Sequence, residues 1–281
     1  MRTSPQFRIV SVYVVVAALW IWFSDRALDL LTQNRNELSA LQSIKGWLFV
    51  LATGMVLYWM IGRDMRRLNA VNRSLWRGHS QTLRVLVSAM DIRHKETSDH
   101  SDRVMRMAVG LARRAGVSGK ELRNLGFGAL LHDIGKLAIP DSVLIKPGKL
   151  DDEEMVIMRQ HTEVGNNLLQ QVDFLRDASD IPYNHHERWD GGGYPRRLRG
   201  EEIPLAARIF SVVDVWDALI TARVYKDAWP EADVLTYLRD AAGSQFDPRL
   251  VELFLQHYDE LKSLGRGSGF AVVEAPLPGR G

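Results

Sequence analysis

The chain has 281 residues and a formal net charge of +2 at pH 7, enough length for one sizeable domain with accessories. The near-neutral balance gives no reason to expect a nucleic-acid polymer as partner, so any phosphate recognition has to be local. There is no cysteine, which excludes disulfides, thiolate metal sites and cysteine nucleophiles and leaves only His and carboxylates to build a metal site.

Residues 9–24 carry no charge and are rich in Val, Leu, Ile and Phe, and a second uncharged run covers 46–62. Each lies at the short end of what spans a bilayer, and polar neighbours such as Gln6 and Ser43 can extend the helices at the interface. Trp20, Trp22, Trp47, Tyr58 and Trp59 fall near the ends, where amphipathic rings prefer the headgroup region. The basic start at Arg2 and Arg8 also suits a signal peptide, but Ser24, Asp25 and Arg26 offer no good small-residue cleavage site. The second run favours a hairpin: a membrane unit over 1–62 with two transmembrane helices, at 8–24 and 45–62. Arg63, Arg66, Arg67, Arg73 and Arg77 crowd the exit of the second helix, whereas the connecting loop has only Arg26 and Arg35 against Asp25, Asp29 and Glu37. Positive charge stays in the cytoplasm, so both termini are expected inside. The loop left outside, of about twenty residues, is well below the size of a self-supporting domain.

The next stretch, a linker over 63–90, reads as one helix. Leu68, Val71 and Leu75 recur at spacings of three and four, and Leu83, Leu86 and Met90 resume the pattern. Two readings stay open: a seam that pairs with a second copy in a homodimer, or a stripe that packs on the following body. Helical periodicity then covers 103–115, 120–131, 152–169, 205–222, 231–241 and 248–264, with starts marked at Ser118 and Asp151. Alternating strand patterns are nearly absent, so the fold class is all-α. The segment 265–281 is rich in Gly and Pro and is expected to be a flexible tail.

Five of the eight histidines fall into an order that suggests metal chemistry. Glu96 and His100 are four apart and would share a helix face, as would His132 and Lys136, which sets an ammonium beside a ligand-type group. On a helix the adjacent pairs His132–Asp133 and His185–His186 would diverge by about 100°, so that each pair could serve two different metals. His161 and Asp214 add an imidazole and a carboxylate. The run Gly128-Ala-Leu-Leu-His132-Asp133 would bury two polar groups at the end of an apolar segment, a costly arrangement without a metal or partners.

These stretches, together with Ile139-Pro-Asp-Ser-Val-Leu, His161-Thr-Glu-Val-Gly, His185-His186-Glu-Arg-Trp-Asp-Gly-Gly-Gly193-Tyr194-Pro195 and Phe246-Asp-Pro, resemble the HD-GYP family of HD metal phosphohydrolases over about 83–264. The resemblance implies a helical HD-type catalytic domain that hydrolyses cyclic di-GMP to pGpG or GMP by in-line attack of a metal-bridging hydroxide. It implies two or three divalent ions, iron or manganese, held by His132, Asp133, His161, His185, His186 and Asp214, with Asp133 as the bridge. Glu96 and His100 match the positions that hold a third ion in trinuclear members. Lys136 matches the catalytic lysine, and Arg223, Tyr225 and Lys226 match a substrate-binding stretch, although the two cations there could also be solvated charges at a helix end. The loop of Gly193, Tyr194 and Pro195 either shapes the site beside His185 and His186, the favoured reading, or presents Tyr194 to a partner such as a diguanylate cyclase domain.

The sequence departs from the family pattern at Asp91, Gly192 and Val224, none of which is an expected ligand. With the membrane unit, the resemblance implies a multi-pass protein of the bacterial inner (cytoplasmic) membrane, with lipid around the hairpin and the catalytic domain in the cytoplasm. Two alternatives stand beside the enzyme: a cyclic di-GMP receptor with little turnover, and a hydrolase of another cyclic dinucleotide such as cyclic GMP-AMP.

Overall fold

The structure, a computed structural model, describes residues 5–31, 35–94, 100–222 and 227–266. It divides into two compact units, Met1–Leu75 and Trp76–Gly281.

The first unit holds α1 (Pro5–Leu31) and the opening part of α2 (Arg35–His94). Three pairs order them: Arg8 bonds Asp64 at 2.8 Å, Trp20 meets Phe49 with ring centroids 6.1 Å apart, and Lys45 bonds Asp25. Residue numbers rise on one helix as they fall on the other, so the two helices run antiparallel. The apolar surface is turned outward, with Trp47 71% and Tyr58 81% exposed. The segments Phe7–Ala27 and Leu41–Arg93 are long and apolar enough to cross a membrane, by length and composition.

The second unit is all-α among its described residues, with only an isolated bridge between Ala242 and Phe246. The end of α2 joins its core: Val87 and Met90 are buried, and Trp76 stacks on Phe127 and meets Phe174 edge-on. In that half of the linker's apolar stripe Leu83 and Met90 therefore pack on the body while Leu86 is exposed, as are Leu68, Val71 and Leu75 in the first unit. Helix α3 (His100–Arg114) packs against α4 (Gly119–Leu130), α9 (Leu205–Ile220) and α12 (Tyr258–Arg266). Its close fit to α12 depends on Gly110, where a Cβ would stand 2.6 Å from Leu264. Helix α9 is apolar on most sides and runs through the middle, burying Ile209, Phe210, Val212, Val213 and Trp216. A helix that is hydrophobic nearly all round has to be central.

Shorter helices complete the body: α5 (Asp141–Leu144), α6 (Asp152–Arg159), α7 (His161–Gln170), α8 (Asp180–Asn184), α10 (Glu231–Asp240) and α11 (Pro248–Gln256). Two helices expected to be continuous are each broken in two. The stretch 152–169 divides at Gln160, whose N–H reaches back to the carbonyls of Ile157 and Met158 to close α6. The stretch 248–264 divides at His257, which ends α11 and lets α12 begin with the buried Tyr258. Neither break carries a Gly or Pro, so periodicity alone reads through both. Elsewhere the local signals match the structure: Asp151 forms a reciprocal capping box with Glu154, satisfying orphan N–H groups at the start of α6.

Candidate metal centre

The centre is built from turns at helix ends. Helix α4 stops at Leu130, and His132 and Asp133 lie in the turn before a 3₁₀ segment, Ile134–Ala138. His161 opens α7, His185 caps the end of α8, and Asp214 stands midway along α9. The 3₁₀ segment packs against α7 so closely that a Cβ on Gly135 would fall 1.9 Å from the His161 carbonyl oxygen. Only a glycine permits that approach.

Among the described residues two groups of three side chains emerge, each with ligand atoms within 4.8 Å of one another. His161, His185 and His186 form one, and His100, His132 and Asp214 the other. Asp133 faces both. Its Oδ1 lies 3.6 Å from His161 Nε2 and 3.9 Å from His185 Nε2, while its Oδ2 lies 3.1 Å from His132 Nε2.

This grouping differs from the helix-based expectation in two respects. His185 and His186 do not diverge: their rings are 4.0 Å apart and serve the same group. They sit in a turn, where the 100° rotation of a helix does not apply. Lys136 bonds Asp133, three residues back, and not His132. The segment is 3₁₀, in which side chains at i and i+3 eclipse, so the helical four-residue spacing fails.

The imidazoles are held in one orientation. Nδ1–H of His132, His161 and His185 donates to the carbonyls of Ala129, Met158 and Ile181 at 2.9, 2.7 and 3.0 Å. That fixes each ring's orientation and turns each Nε2 inward, as a metal ligand requires. Burial holds His185 well below the ordinary imidazole range, pulls His186 down to about 3 and lowers His161. The shift favours the neutral ring, the state in which imidazole binds metal. His132 departs from them: burial works against its charge, but neighbouring Asp133 outweighs it and pushes the ring up to about 9. Burial also works against the Asp133 charge, yet Lys136 and His132 hold it well below the usual carboxylate range. A buried, oriented set of nitrogen and oxygen donors without thiolate fits divalent ions.

Tyr194 is stacked on His186 at 4.7 Å, with the guanidinium of Arg159 over its ring at 4.9 Å. Gly193 lies against the backbone of Glu187 and Arg188, where a Cβ would come within 2.5 Å, and the Tyr194–Pro195 bond is cis. The loop thus packs beside the histidines. Glu187 secures it from below by accepting the N–H of Arg196 and of Leu198. Glu96, Arg223, Tyr225 and Lys226 lie outside the described residues.

Three contributors escaped the sequence reading. Asp217 and Arg103 support His100, and Arg159 covers Tyr194. Asp217 had a visible signal, being a carboxylate in an apolar helix three residues from Asp214.

A family model described as HD domain matches residues 84–250, more than half of the chain. The 3'3'-cGAMP-specific phosphodiesterase 2 of Vibrio cholerae is 41% identical over 69% of this chain and 36% of its own length. The cyclic di-GMP phosphodiesterase response regulator RpfG of Xanthomonas campestris is 45% identical over 66% of this chain and 49% of its own. A cyclic di-GMP phosphodiesterase of Thermotoga maritima is 37% identical over 66% and 51%. The chain thus spans about half or less of these relatives. Among solved structures, a cyclic GMP-AMP specific phosphodiesterase of V. cholerae (V-cGAP3) superposes with a TM-score of 0.53 at 20% identity, covering 67% of this chain and 51% of that one, a likeness of fold. By its matched domain, its helical architecture and its sequence relatives, the chain belongs to the HD domain family, in the HD-GYP branch.

Proposed function

We propose that the chain is a membrane-anchored, metal-dependent phosphodiesterase that hydrolyses cyclic di-GMP to pGpG or GMP. The observation that carries this reading is the pair of inward-facing histidine groups with Asp133 presenting one oxygen to each. His161, His185 and His186 would hold one ion, and His100, His132 and Asp214 another, with Asp133 between them. Iron or manganese suits this donor set. A third ion would draw on Glu96. When bound, such ions supply Lewis acidity toward a phosphodiester and lower the pKa of water.

The protein's own groups do the rest. Lys136 sets a positive charge beside Asp133, where it can neutralise charge developing on phosphate. Arg223, Tyr225 and Lys226 are proposed to grip the nucleotide, Arg through its planar fork. A cavity of about 450 Å³ is lined by Arg159, Arg197, Glu163 and the loop of Gly193, Tyr194 and Pro195; Tyr194 separates it from His186, and it offers room for an anionic nucleotide. The boundaries proposed are a membrane unit over 1–62, a linker over 63–90 and a catalytic domain over 83–264. The arginines after the second apolar run favour a cytoplasmic position for the catalytic domain at the inner membrane.

The 41% identity to a 3'3'-cGAMP-specific enzyme favours a second reading, in which cyclic GMP-AMP is the preferred substrate. Both are tested together with the full chain, purified in detergent without oxygen and loaded with metal. Linear product from cyclic di-GMP, abolished by Asp133→Ala, is expected. Faster turnover of cyclic GMP-AMP would move the assignment to the second reading, and tight binding without turnover at full metal loading would make the protein a receptor.

A further inference from the structure

Four imidazoles of the centre are held at Nδ1, by two different kinds of acceptor. For His132, His161 and His185 the acceptor is a backbone carbonyl, which the fold itself fixes. For His100 it is a side chain: Oδ2 of Asp217, at 2.7 Å and 1% exposed. Asp217 is gripped in turn by the guanidinium of Arg103, through Nε and through Nη2 at 2.9 Å. Arg103 lies three residues after His100 on α3, and Asp217 three residues after Asp214 on α9. Residues at that spacing share a helix face. Helix α9 therefore meets one imidazole from both sides, with Asp217 at Nδ1 and Asp214 Oδ1 3.7 Å from Nε2.

We infer that Asp217 is a positioning residue dedicated to one half of the centre: clamped by Arg103, it fixes His100 and thereby sustains the group of His100, His132 and Asp214 independently of the group of His161, His185 and His186. This rests on reading the two groups as metal sites. Carboxylates that orient a ligating histidine generally affect metal affinity by roughly 10- to 100-fold. Arg103 offsets the carboxylate's charge, so the pair contributes orientation without adding net negative charge. Among the described residues, His161 and His185 of the second group are held at Nδ1 by backbone carbonyls, so a change at Asp217 acts on the first.

The test is Mn²⁺ loading of the full chain in detergent, read by metal per chain and by electron paramagnetic resonance. In the unaltered chain, two ions per chain with a spin-coupled spectrum are expected. Asp217→Ala is expected to lose about one ion and to show the six-line spectrum of isolated Mn²⁺, at an affinity unchanged for the ion that remains. Asp217→Asn, which keeps an oxygen for His100, guards against misfolding of the alanine variant; its second ion is expected to bind roughly 10- to 100-fold more weakly. Full occupancy with coupling retained in both variants would overturn the inference, as would loss of both ions from a variant with native helix content. Failure of the unaltered chain to bind Mn²⁺, Fe²⁺ or Zn²⁺ would instead remove the metal reading on which it stands, and the inference with it.

Discussion

At the scale of single residues, chemistry was easier to read than grouping. The sequence points to His100, His132, Asp133, His161, His185, His186 and Asp214 as ligand-type groups, and the structure gathers six of them into two groups of three, with Asp133 beside members of both. Their partition depends on turn geometry, which periodicity does not encode, so the alignment of His185 with His186 and the pairing of Lys136 with Asp133 were not legible. Asp217 stands out as a carboxylate in an apolar helix, but its role was not legible, because its partners, His100 and Arg103, are more than a hundred positions away. The tightest residue-scale constraint is Gly135. An added Cβ would meet His161 O at 1.9 Å and Gly165 N at 2.6 Å, both backbone atoms that cannot rotate aside. Overpacking typically costs about 1–3 kcal/mol, and separating the 3₁₀ segment from α7 would also displace His161. Gly135→Ala is predicted to lower the melting temperature by roughly 5–10 °C and to reduce metal binding at the group containing His161. A variant with unaltered melting and full metal content would show that the contact is more compliant than its geometry implies.

At the scale of elements, helix starts are written in capping residues and helix ends often are not. Ser118 and Asp151 mark starts in the sequence: Asp151 caps α6 with its side chain, Ser118 stands at the start of α4 without a side-chain cap bond, and Asp247 caps α11 in the structure. The breaks at Gln160 and His257 follow from what must be buried on the far side, His161 and Tyr258, and no local residue announces them. Asp247 joins several roles. It accepts the Arg249 N–H at 3.0 Å to cap α11, ahead of Pro248, and it bonds Arg208 of α9 at 2.8 Å while itself buried. Removing it leaves the mostly buried Arg208 without that carboxylate and α11 uncapped, so Asp247→Ala is predicted to destabilise by about 3 kcal/mol. Burial alone would raise the Asp247 pKa, but hydrogen bonds from Arg249 and Arg208 outweigh it and hold the group below its ordinary value. A depressed folded-state pKa stabilises above the unfolded value and is lost as pH falls through the folded one. The difference in melting temperature between the unaltered chain and Asp247→Ala should therefore be constant near neutrality and shrink only below about pH 4. A difference that narrows already near pH 6 would assign the stabilisation to another group.

At the scale of the whole molecule, the sequence shows an apolar hairpin followed by a long helix, but not where the helical body begins. Composition changes near residue 63, yet the compact unit starts at Trp76, because the last third of α2 supplies core. Val87 and Met90 are buried there, and Trp76 packs on Phe127 and Phe174. A fully buried side chain of this kind contributes about 1.5–3 kcal/mol, so a body cut free of that segment forfeits several such terms and exposes the apolar surface they cover. A fragment of residues 76–281 is predicted to be soluble without detergent and to bind metal as the full chain does, since the exposed apolar surface of Trp47, Met55 and Tyr58 is gone with the first unit. A fragment starting at residue 95 is predicted to melt at least 10 °C lower or to aggregate, even though it keeps all of the proposed ligands. Thermal melts of the two fragments, with metal content measured on each, check this directly. Equal stability would mean that the packing of Trp76, Val87 and Met90 is incidental and that the body starts after α2.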